Sequence, residues 1–308
     1  MTMAKVSLIC TVKNDESSMK GFLDSLLSQS RPPDEIIIVD GGSTDRTVEI
    51  IKSYVEKGSP IKLIVKEGVN IAKGRNIAIG NSRCELIAST DAGCRIDKNW
   101  LKNLIEPFEL DQAVDVVSGW YEPDASNEFE KSVAEVTFPK IGAVLKNPDD
   151  FLPSGRSIAF KKSAWEKVGG YPEWLTFAGE DTLFDINLKK AGFKFAFAPK
   201  AVVYWKMRPN LKSFFKQYYL YAKGDREAGL FTGRYLKMIF RKYAASLLFI
   251  ALGFKWSVFF ALFFIGVVFY WAYIAFRHPR YPFRAAIIMI LKESAQILGW
   301  LSGKRLLI

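Results

Sequence analysis

The chain has 308 residues, of which 49% are hydrophobic and 24% are charged, with 22 Gly and 13 Pro. This length and composition exclude a disordered, collagen-like or low-complexity protein, and they allow one large α/β domain or two small ones. The single histidine, His278, argues against zinc or catalytic-triad chemistry based on histidine. Cys10, Cys84 and Cys94 fit neither a CxxC motif nor a dense disulfide framework, so we predict a reducing, cytosolic-side location.

The formal net charge of +11 is unevenly distributed along the chain. Residues 1–198 carry 25 basic and 29 acidic side chains, whereas residues 199–308 carry 18 basic and 3 acidic ones. The second region is also the more apolar one. Basic and apolar residues side by side favour anionic lipid headgroups over nucleic acid, so we predict membrane lipids and no nucleic acid as partners.

The first 110 residues show the pattern of alternating strands and helices. Short hydrophobic runs predict strands, and apolar residues at helical spacing predict the helices between them. The predicted strands lie at residues 6–10, 36–39, 62–65 and 86–89. The first run is too short for a secretory signal and leads directly into a polar loop. The pattern predicts a doubly wound α/β domain with its ligands at the C-terminal ends of the strands, whereas residues 110–200 show a less regular pattern.

Two uncharged segments lie in the C-terminal region. Residues 244–254 form a run of 11 uncharged residues, and residues 256–276 form one of 21. At about 1.5 Å of rise per residue, the second can cross a hydrocarbon layer of roughly 30 Å. We predict a helical hairpin that turns near residues 253–255, followed by an interfacial helix at residues 285–301, with a buried core helix as the alternative for residues 256–276. The positive-inside rule then assigns one set of arginines and lysines to the cytoplasmic side, namely Arg241, Lys242, Arg277, Arg280 and Arg284.

Residues 201–243 combine aromatic and basic side chains at helical spacing. Such a stretch favours docking at the lipid headgroup layer, and an ordinary packing helix with a basic outer face is the alternative. We therefore divide the chain into a catalytic-type α/β domain at residues 1–200, interfacial helices at residues 201–243 and a membrane region at residues 244–308.

Three acidic residues occupy positions where an α/β domain binds ligands. Asp40 follows the second predicted strand, Asp91 follows the fourth, and Asp181 lies in the later loop-rich region. A carboxylate at the end of a strand can accept hydrogen bonds from a ribose or a base, or hold a divalent cation. The alternative is a turn or helix-capping role, which we favour for Asp45 and which remains open for the others.

Five motifs, in this order, resemble those of the inverting nucleotide-sugar glycosyltransferases of family 2, over about residues 5–210. The motifs are Thr11-Val12-Lys13-Asn14-Asp15-Glu16, Asp40-Gly41-Gly42-Ser43-Thr44-Asp45, Arg75-Asn76, Asp91-Ala92-Gly93 and Glu180-Asp181. The resemblance implies the GT-A fold, a Rossmann-like, doubly wound mixed sheet. It also implies a set of donor-binding residues, namely Thr11, Glu16, Asp40, Arg75, Asn76, Asp91, Gly155, Trp205 and Arg208.

The resemblance implies a single in-line displacement at the anomeric carbon of a nucleoside diphosphate sugar. Asp181 would be the base that takes the proton of the attacking hydroxyl, with Glu180 beside it, and a capping pair is the alternative for these two residues. Asp91 would hold Mn²⁺ or Mg²⁺, which offsets charge on the leaving diphosphate. Gly93 departs from the family pattern because it replaces the last carboxylate of the metal motif, so a modest cation affinity is expected.

A carboxylate base is needed for a hydroxyl acceptor but not for a lipid phosphate, which is already anionic. We therefore predict a membrane-bound glycosyltransferase that acts on a hydroxyl of a lipid-linked or membrane glycan, with its catalytic domain on the cytoplasmic side. The alternatives are a polyprenyl phosphate sugar synthase and a non-catalytic membrane scaffold that keeps a degenerate nucleotide-sugar fold.

Overall fold

The computed structural model describes residues 4–304, apart from the side chains of Asp149, Arg241 and Lys242. The strands are β1 Val6–Val12, β2 Glu35–Asp40, β3 Ile61–Val65, β4 Leu86–Ser89, β5 Cys94–Ile96, β6 Val116–Asp124, β7 Ile158–Lys161 and β8 Phe195–Lys206. The helices are α1 Glu16–Leu27, α2 Thr47–Glu56, α3 Ile71–Gly80, α4 Trp100–Leu110, α5 Glu128–Thr137, α6 Ile141–Val144, α7 Lys162–Lys167, α8 Glu180–Lys190, α9 Leu211–Glu227, α10 Thr232–Met238, α11 Ala245–Gly253, α12 Val258–Arg277 and α13 Pro282–Ser302.

All eight strands form one mixed sheet in the order β3-β2-β1-β4-β7-β6-β8-β5. The pairs β2–β3, β1–β2, β1–β4 and β6–β8 are parallel, and β4–β7, β6–β7 and β5–β8 are antiparallel. The strands are added outward from β1, to β2 and β3 on one side and to β4 on the other, and this reversal of strand order makes the sheet doubly wound, which confirms the predicted α/β class. Each of the four strands predicted in the first 110 residues is present.

The sheet is covered on both faces because its central strands are apolar at successive positions. In β2, Ile36 and Ile38 pack into one core cluster while Ile37 and Val39 pack into another, since neighbouring side chains of a strand point to opposite faces. Helix α1 buries its apolar side against the first of these clusters through Met19, Phe22, Leu23 and Leu26. The three cysteines are buried and free.

The less regular pattern predicted for residues 110–200 is wrong in one respect, because β6, β7 and most of β8 lie there and complete the sheet. Their hydrophobic periodicity is interrupted at Gly119 and Pro199. At Gly119 the pairing of β6 with β8 shifts its register, and a Cβ there would lie 1.9 Å from Ser157 Oγ. This glycine is therefore required by close packing, and it hides a strand of nine residues from periodicity analysis.

The chain divides into two compact units whose bounds differ from the predicted domains. The first unit comprises Met1–Asp124, Pro139–Thr176 and Glu180–Lys206, and the second comprises Ala125–Phe138, Phe177–Gly179 and Met207–Ile308. The predicted boundary at residue 200 falls inside β8, which continues to Lys206 because its last residues pair with β5 and β6. The three-part division otherwise remains a prediction.

The second unit is helical. Helix α13 packs along α9 so closely that a Cβ on Gly299 would lie 2.1 Å from the carbonyl oxygen of Tyr219. Helices α12 and α13 are long and apolar enough to cross a membrane by length and composition, with mean hydropathies of 2.3 and 1.3. The turn between α11 and α12 falls where the hairpin was predicted. Arg241 and Lys242, used to predict the cytoplasmic side, have side chains outside the described residues.

Candidate active site

Arg75 is the centre of the candidate site. It lies on α3, its side chain is 2% exposed, and its guanidinium joins two carboxylates that are far apart in the sequence. Nη2 donates to Asp91 Oδ1 at 2.8 Å, and Nη1 donates to Glu180 Oε1 at 2.7 Å. Burial opposes the charge of Arg75, but the combined attraction of Asp91, Glu180 and further acidic neighbours raises the pKa of Arg75 above its ordinary value. The predicted donor residue Arg75 is thus the bridge between the predicted metal ligand and the predicted catalytic pair.

Glu180 is the more buried member of that pair. Burial raises the pKa of Glu180 to about 7, and the neighbouring Asp181 acts in the same direction against the opposing effect of Arg75. Glu180 is the first residue of α8, so its carboxylate also lies at the positive end of a helix dipole. Its contacts indicate that Glu180 holds Arg75 in place.

Asp181 is the partly exposed member of the pair. Its carboxylate is held by the turn at residues 154–157 and by the residue that follows it in α8. Its Oδ2 accepts from the backbone N–H of Gly155 at 3.2 Å, and its Oδ1 accepts from Thr182 N–H at 2.8 Å. Gly155 also packs closely against the guanidinium of Arg75, because a Cβ on Gly155 would lie 2.4 Å from Arg75 Nη2. Asp91, Glu180, Asp181 and Gly155 therefore all meet around Arg75.

Asp91 is the predicted cation ligand, and its two carboxylate oxygens face Arg75 and Arg156. Its side chain is 27% exposed, and its Oδ2 lies 3.8 Å from Arg156 Nε, which is too long for a hydrogen bond. A Cβ on Gly93 would lie 3.0 Å from Asp15 Oδ2, so the Asp15 carboxylate fills the space that a side chain at position 93 would need. Among residues 4–304, no group of three or more His, Cys, Asp or Glu side chains is placed to hold a metal.

Trp205 and Arg208, both predicted to contact the donor, lie in different units. Trp205 is paired with Cys94 across β5 and β8, and the guanidinium carbon of Arg156 lies 3.8 Å from the centre of its ring. Trp205 therefore belongs to the neighbourhood of Asp91. Arg208 belongs to the second unit, where its Nε donates to Gln217 Oε1 at 3.2 Å. A donor contact of Arg208 stays a prediction.

Asn76 and Asp40 are occupied by local contacts. The side-chain amide of Asn76 makes four hydrogen bonds, to Trp165, to Tyr171 N–H and carbonyl, and to Glu173, which use its full capacity. Asp40 is fully buried and accepts from Gly42 N–H, Ser43 N–H and the Ser43 hydroxyl. The structure thus gives Asn76 a positioning role and Asp40 the turn role that the sequence left open, and their donor contacts stay predictions.

Thr11 and Glu16, the remaining predicted donor residues, surround the loop after β1. A Cβ on Gly74 would lie 2.9 Å from Thr11 Cγ2, so Thr11 packs against α3. Glu16 is exposed, and its Oε2 accepts from Arg46 N–H at 2.9 Å while its own N–H donates to Asp45. These contacts tie the loop after β1 to the turn after β2. Asp45 stabilises that turn by accepting from the N–H and hydroxyl of Thr47, as the sequence indicated.

Two residues near Arg75, Tyr171 and Asp185, were missed by the sequence analysis. Tyr171 stacks on Phe184 and has its ring centre 5.2 Å from the Arg75 guanidinium, which places it under the site. Asp185 is 1% exposed and neither of its carboxylate oxygens has a hydrogen-bond partner, so burial raises its pKa well above the ordinary value. Its position four residues after Asp181, one turn further along α8, is the signal that could have found it. Arg156, beside Gly155, lies in a segment that resembles the family's loop near the transferred sugar, with a plain turn as the alternative that the sequence left open.

Residues 7–169 match the family model described as glycosyl transferase family 2. Among curated relatives, the probable glycosyltransferase YdaM of Bacillus subtilis is 25% identical over 279 residues, which cover 86% of this chain and 64% of the relative. The O-antigen chain rhamnosyltransferase RfbN of Salmonella typhimurium is 27% identical and covers 65% of each chain. A poly-beta-1,6-N-acetyl-D-glucosamine synthase of Staphylococcus epidermidis is 25% identical, over 72% of this chain and 55% of the relative. The chain thus spans less than two thirds of the length of these relatives.

Two solved structures share the fold. A mannosyltransferase, PcManGT from Pyrobaculum calidifontis, in complex with GDP-Man and Mn²⁺, has a TM-score of 0.66 at 19% identity, covering 98% of this chain and 88% of that one. The structure of S. aureus TarS 1-349 has a TM-score of 0.55 at 20% identity, covering 97% and 90%. This likeness confirms the predicted GT-A type of fold.

Proposed function

The chain belongs to glycosyl transferase family 2, and we propose that it transfers a sugar from a nucleoside diphosphate sugar to a hydroxyl of a membrane-associated glycan. The observation that carries this proposal is the Arg75 bridge. It joins Asp91, proposed for the donor side of the reaction, to Glu180, which precedes the proposed base. A domain that only bound partners would not need to bury a guanidinium between two carboxylates, because such a network costs desolvation free energy.

In the proposed reaction, Asp181 is the general base. The acceptor oxygen forms a bond to the anomeric carbon as its proton passes to an Asp181 carboxylate oxygen. The bond between that carbon and the diphosphate oxygen breaks on the opposite face, and its electron pair leaves with the nucleoside diphosphate. The two N–H groups that donate to Asp181 fix the direction of its carboxylate, which is what a base must have to meet a hydroxyl within hydrogen-bond reach.

We propose that a divalent cation assists the departure of the diphosphate, with Asp91 as its protein ligand. When bound, Mn²⁺ or Mg²⁺ would offset the negative charge that develops on the leaving group. The PcManGT structure, which holds GDP-Man and Mn²⁺, supports a nucleotide sugar and a cation in a protein of this fold. A single carboxylate is a weak site, so donor phosphates would supply the other oxygens.

We propose that α11, α12 and α13 attach the protein to a membrane. In the second unit Phe254, Phe269 and Phe276 are 83%, 71% and 85% exposed, and only 6% of the apolar window of α12 is buried. Water-soluble chains rarely expose contiguous apolar surface of this extent. The basic charge of residues 199–308 supports the cytoplasmic side, where the positive-inside rule collects arginine and lysine.

A membrane-attached enzyme would act on a lipid-linked or membrane glycan. RfbN is named for the O-antigen chain and the S. epidermidis relative for a polysaccharide, which supports a glycan acceptor with a free hydroxyl. A base at Asp181 supports the same choice over polyprenyl phosphate, because a phosphate acceptor needs no base. Product formed on polyprenyl phosphate alone would contradict this part of the proposal.

The test is the release of nucleoside diphosphate from a panel of donors by the full chain in detergent, with Mn²⁺ or Mg²⁺. We expect Asp181→Asn to lower turnover by at least ~10²-fold, since a positioned base contributes about that factor, while donor affinity stays within threefold or so. Asp111→Asn is the matched control, because Asp111 also accepts from a backbone N–H but lies at the surface beside Lys194. Normal turnover by Asp181→Asn would disprove the assigned base.

A further inference from the structure

Two guanidinium groups lie beside Asp91, and they differ in what they can reach. Arg75 has 2% of its side chain exposed and donates to two carboxylates. Arg156 is 17% exposed, and its Nε stands 3.8 Å from Asp91 Oδ2 on the other side. Because Arg75 is enclosed and committed, a ligand that arrives at Asp91 from solvent meets the guanidinium of Arg156 instead.

Arg156 is held in a defined position by the turn at residues 154–157 and by an aromatic surface. Its Nη1 donates to Ser154 Oγ at 2.8 Å, and the turn is closed by Ser157 N–H donating to the Ser154 carbonyl. The guanidinium stacks on Trp205 at 3.8 Å, and the Tyr121 ring lies at 5.8 Å. Stacking on an aromatic face leaves the edge of an arginine, where its N–H donors lie, directed sideways toward a ligand.

The same turn connects both sides of the site. Gly155 donates its backbone N–H to Asp181, and the next residue presents its charge at Asp91. Trp205 is fixed relative to Asp91 because it pairs with Cys94, three residues further along the chain. The position of Arg156 is therefore set by elements that also set the positions of the proposed base and the proposed cation ligand.

We propose that Arg156 is a catalytic residue that binds the diphosphate of the donor and stabilises its charge as it leaves. This inference rests on the proposed function. As the bond from the anomeric carbon to the diphosphate oxygen breaks, its electron pair remains on the diphosphate, and the N–H groups of Arg156 donate to phosphate oxygens without giving up a proton. A planar guanidinium fits this task because it can donate two parallel hydrogen bonds to one phosphate.

When a diphosphate binds here, Arg156 would replace its charge contact with Asp91 by hydrogen bonds to phosphate oxygens, which are stronger. At 3.8 Å, the contact with Asp91 Oδ2 is an attraction between charges without a hydrogen bond. Turning toward phosphate therefore breaks no hydrogen bond to Asp91. If Arg156 only oriented Asp91, its removal would lower the affinity for every nucleotide alike. If it binds the diphosphate, its removal lowers the affinity for the diphosphate more than for the monophosphate.

The experiment compares nucleotide affinities by calorimetry on the full chain in detergent, using UDP and UMP, and GDP and GMP, in EDTA and in Mn²⁺. In EDTA we expect Arg156→Met to weaken the preferred nucleoside diphosphate by ~10- to 100-fold and its monophosphate by less than about threefold. Arg156→Lys should recover part of the loss, because it restores the charge without the planar fork. Turnover should also fall more in Arg156→Met than in Arg156→Lys.

Arg95→Met is the matched control. Arg95 also stacks on an aromatic ring, that of Tyr204 at 3.9 Å, but its side chain is 56% exposed and lies near Asp124 rather than Asp91. We expect this variant to bind both nucleotides as the unmodified protein does. Thermal unfolding of all variants should give midpoints within a few degrees, so that a misfolded Arg156→Met protein is recognised.

The outcomes separate this inference from the proposed function. Unchanged diphosphate affinity in Arg156→Met, or an equal loss for monophosphate and diphosphate, would overturn the catalytic role of Arg156 alone. An unmodified protein that binds no nucleotide and turns over no donor would refute the proposed function, and this inference with it.

Discussion

The substitution Gly155→Ala tests whether the space around Arg75 is as closely filled as the structure indicates. A Cβ at this position would lie 2.4 Å from Arg75 Nη2 and 2.9 Å from its guanidinium carbon, whereas ordinary contacts begin at 3.4 Å. One of the groups must therefore move by about 1 Å. Arg75 cannot yield without stretching its bonds to Asp91 and Glu180, and the backbone cannot yield without withdrawing the N–H from Asp181.

We expect this added methyl to cost about 1–3 kcal/mol of unfolding free energy, as overpacking usually does. Turnover should fall further, by ~10²-fold, because misplacement of catalytic groups by about 1 Å has effects of that size. The assay is nucleoside diphosphate release together with thermal unfolding in detergent. Gly21→Ala is the control, since Gly21 lies on α1 with no atom within 4 Å of its added Cβ. Activity within threefold or so of the unmodified protein in Gly155→Ala would refute this account of the site.

Two further predictions concern the buried acid and the helical unit. The pKa of Glu180 in the folded protein, about 7, lies above its usual 4.5, so the folded state binds this proton more tightly and its stabilising effect is lost as pH rises through about 7. The thermal midpoint should therefore decrease as the pH is raised from 5 to 8, and Glu180→Gln should make this decrease smaller. The same decrease in both proteins would contradict the raised pKa of Glu180. Gly299→Ala should lower the thermal midpoint, because the added methyl would clash with the carbonyl of Tyr219 at a cost of about 1–3 kcal/mol. Gly266→Ala is the control, since open space surrounds its added Cβ, and it should leave the midpoint unchanged. Equal midpoints for the two variants would argue against the α9–α13 packing.

The first half of the sheet could be predicted from the sequence because its strands are short, apolar and covered on both faces. The run at β2 is apolar at every interior position, and β4 was predicted with its observed bounds. The second half could not be predicted in the same way. Strand β8 is interrupted by Pro199 and Lys200 between apolar residues, and Gly119 breaks the pattern of β6, so packing against neighbouring strands determines these elements.

Part of the candidate site could be predicted, because an acidic residue at the end of a strand or at the start of a helix indicates a role by its chemical type and its position. Asp91 and the Glu180–Asp181 pair lie at the ends of predicted elements, and the structure joins them through Arg75. The sequence could not show that Asn76, next to Arg75, would be saturated by a distant loop, because that depends on which segments the fold brings together. For the same reason the sequence could not give Arg156 a specific role, because its contact with Trp205 depends on how the fold brings the turn at residues 154–157 to β8.

The charges around the site show why an arginine and a cation can both be needed. When ionised, Asp91, Glu180 and Asp181 outnumber the guanidinium groups of Arg75 and Arg156, and the raised pKa of Glu180 relieves only part of this excess. A nucleoside diphosphate adds further negative charge, which two arginines already facing carboxylates cannot offset. The effects of removing Arg156 and of removing Mn²⁺ should therefore couple, because both act on the same diphosphate. If the two losses of diphosphate affinity simply add, the arginine and the cation do not share a ligand.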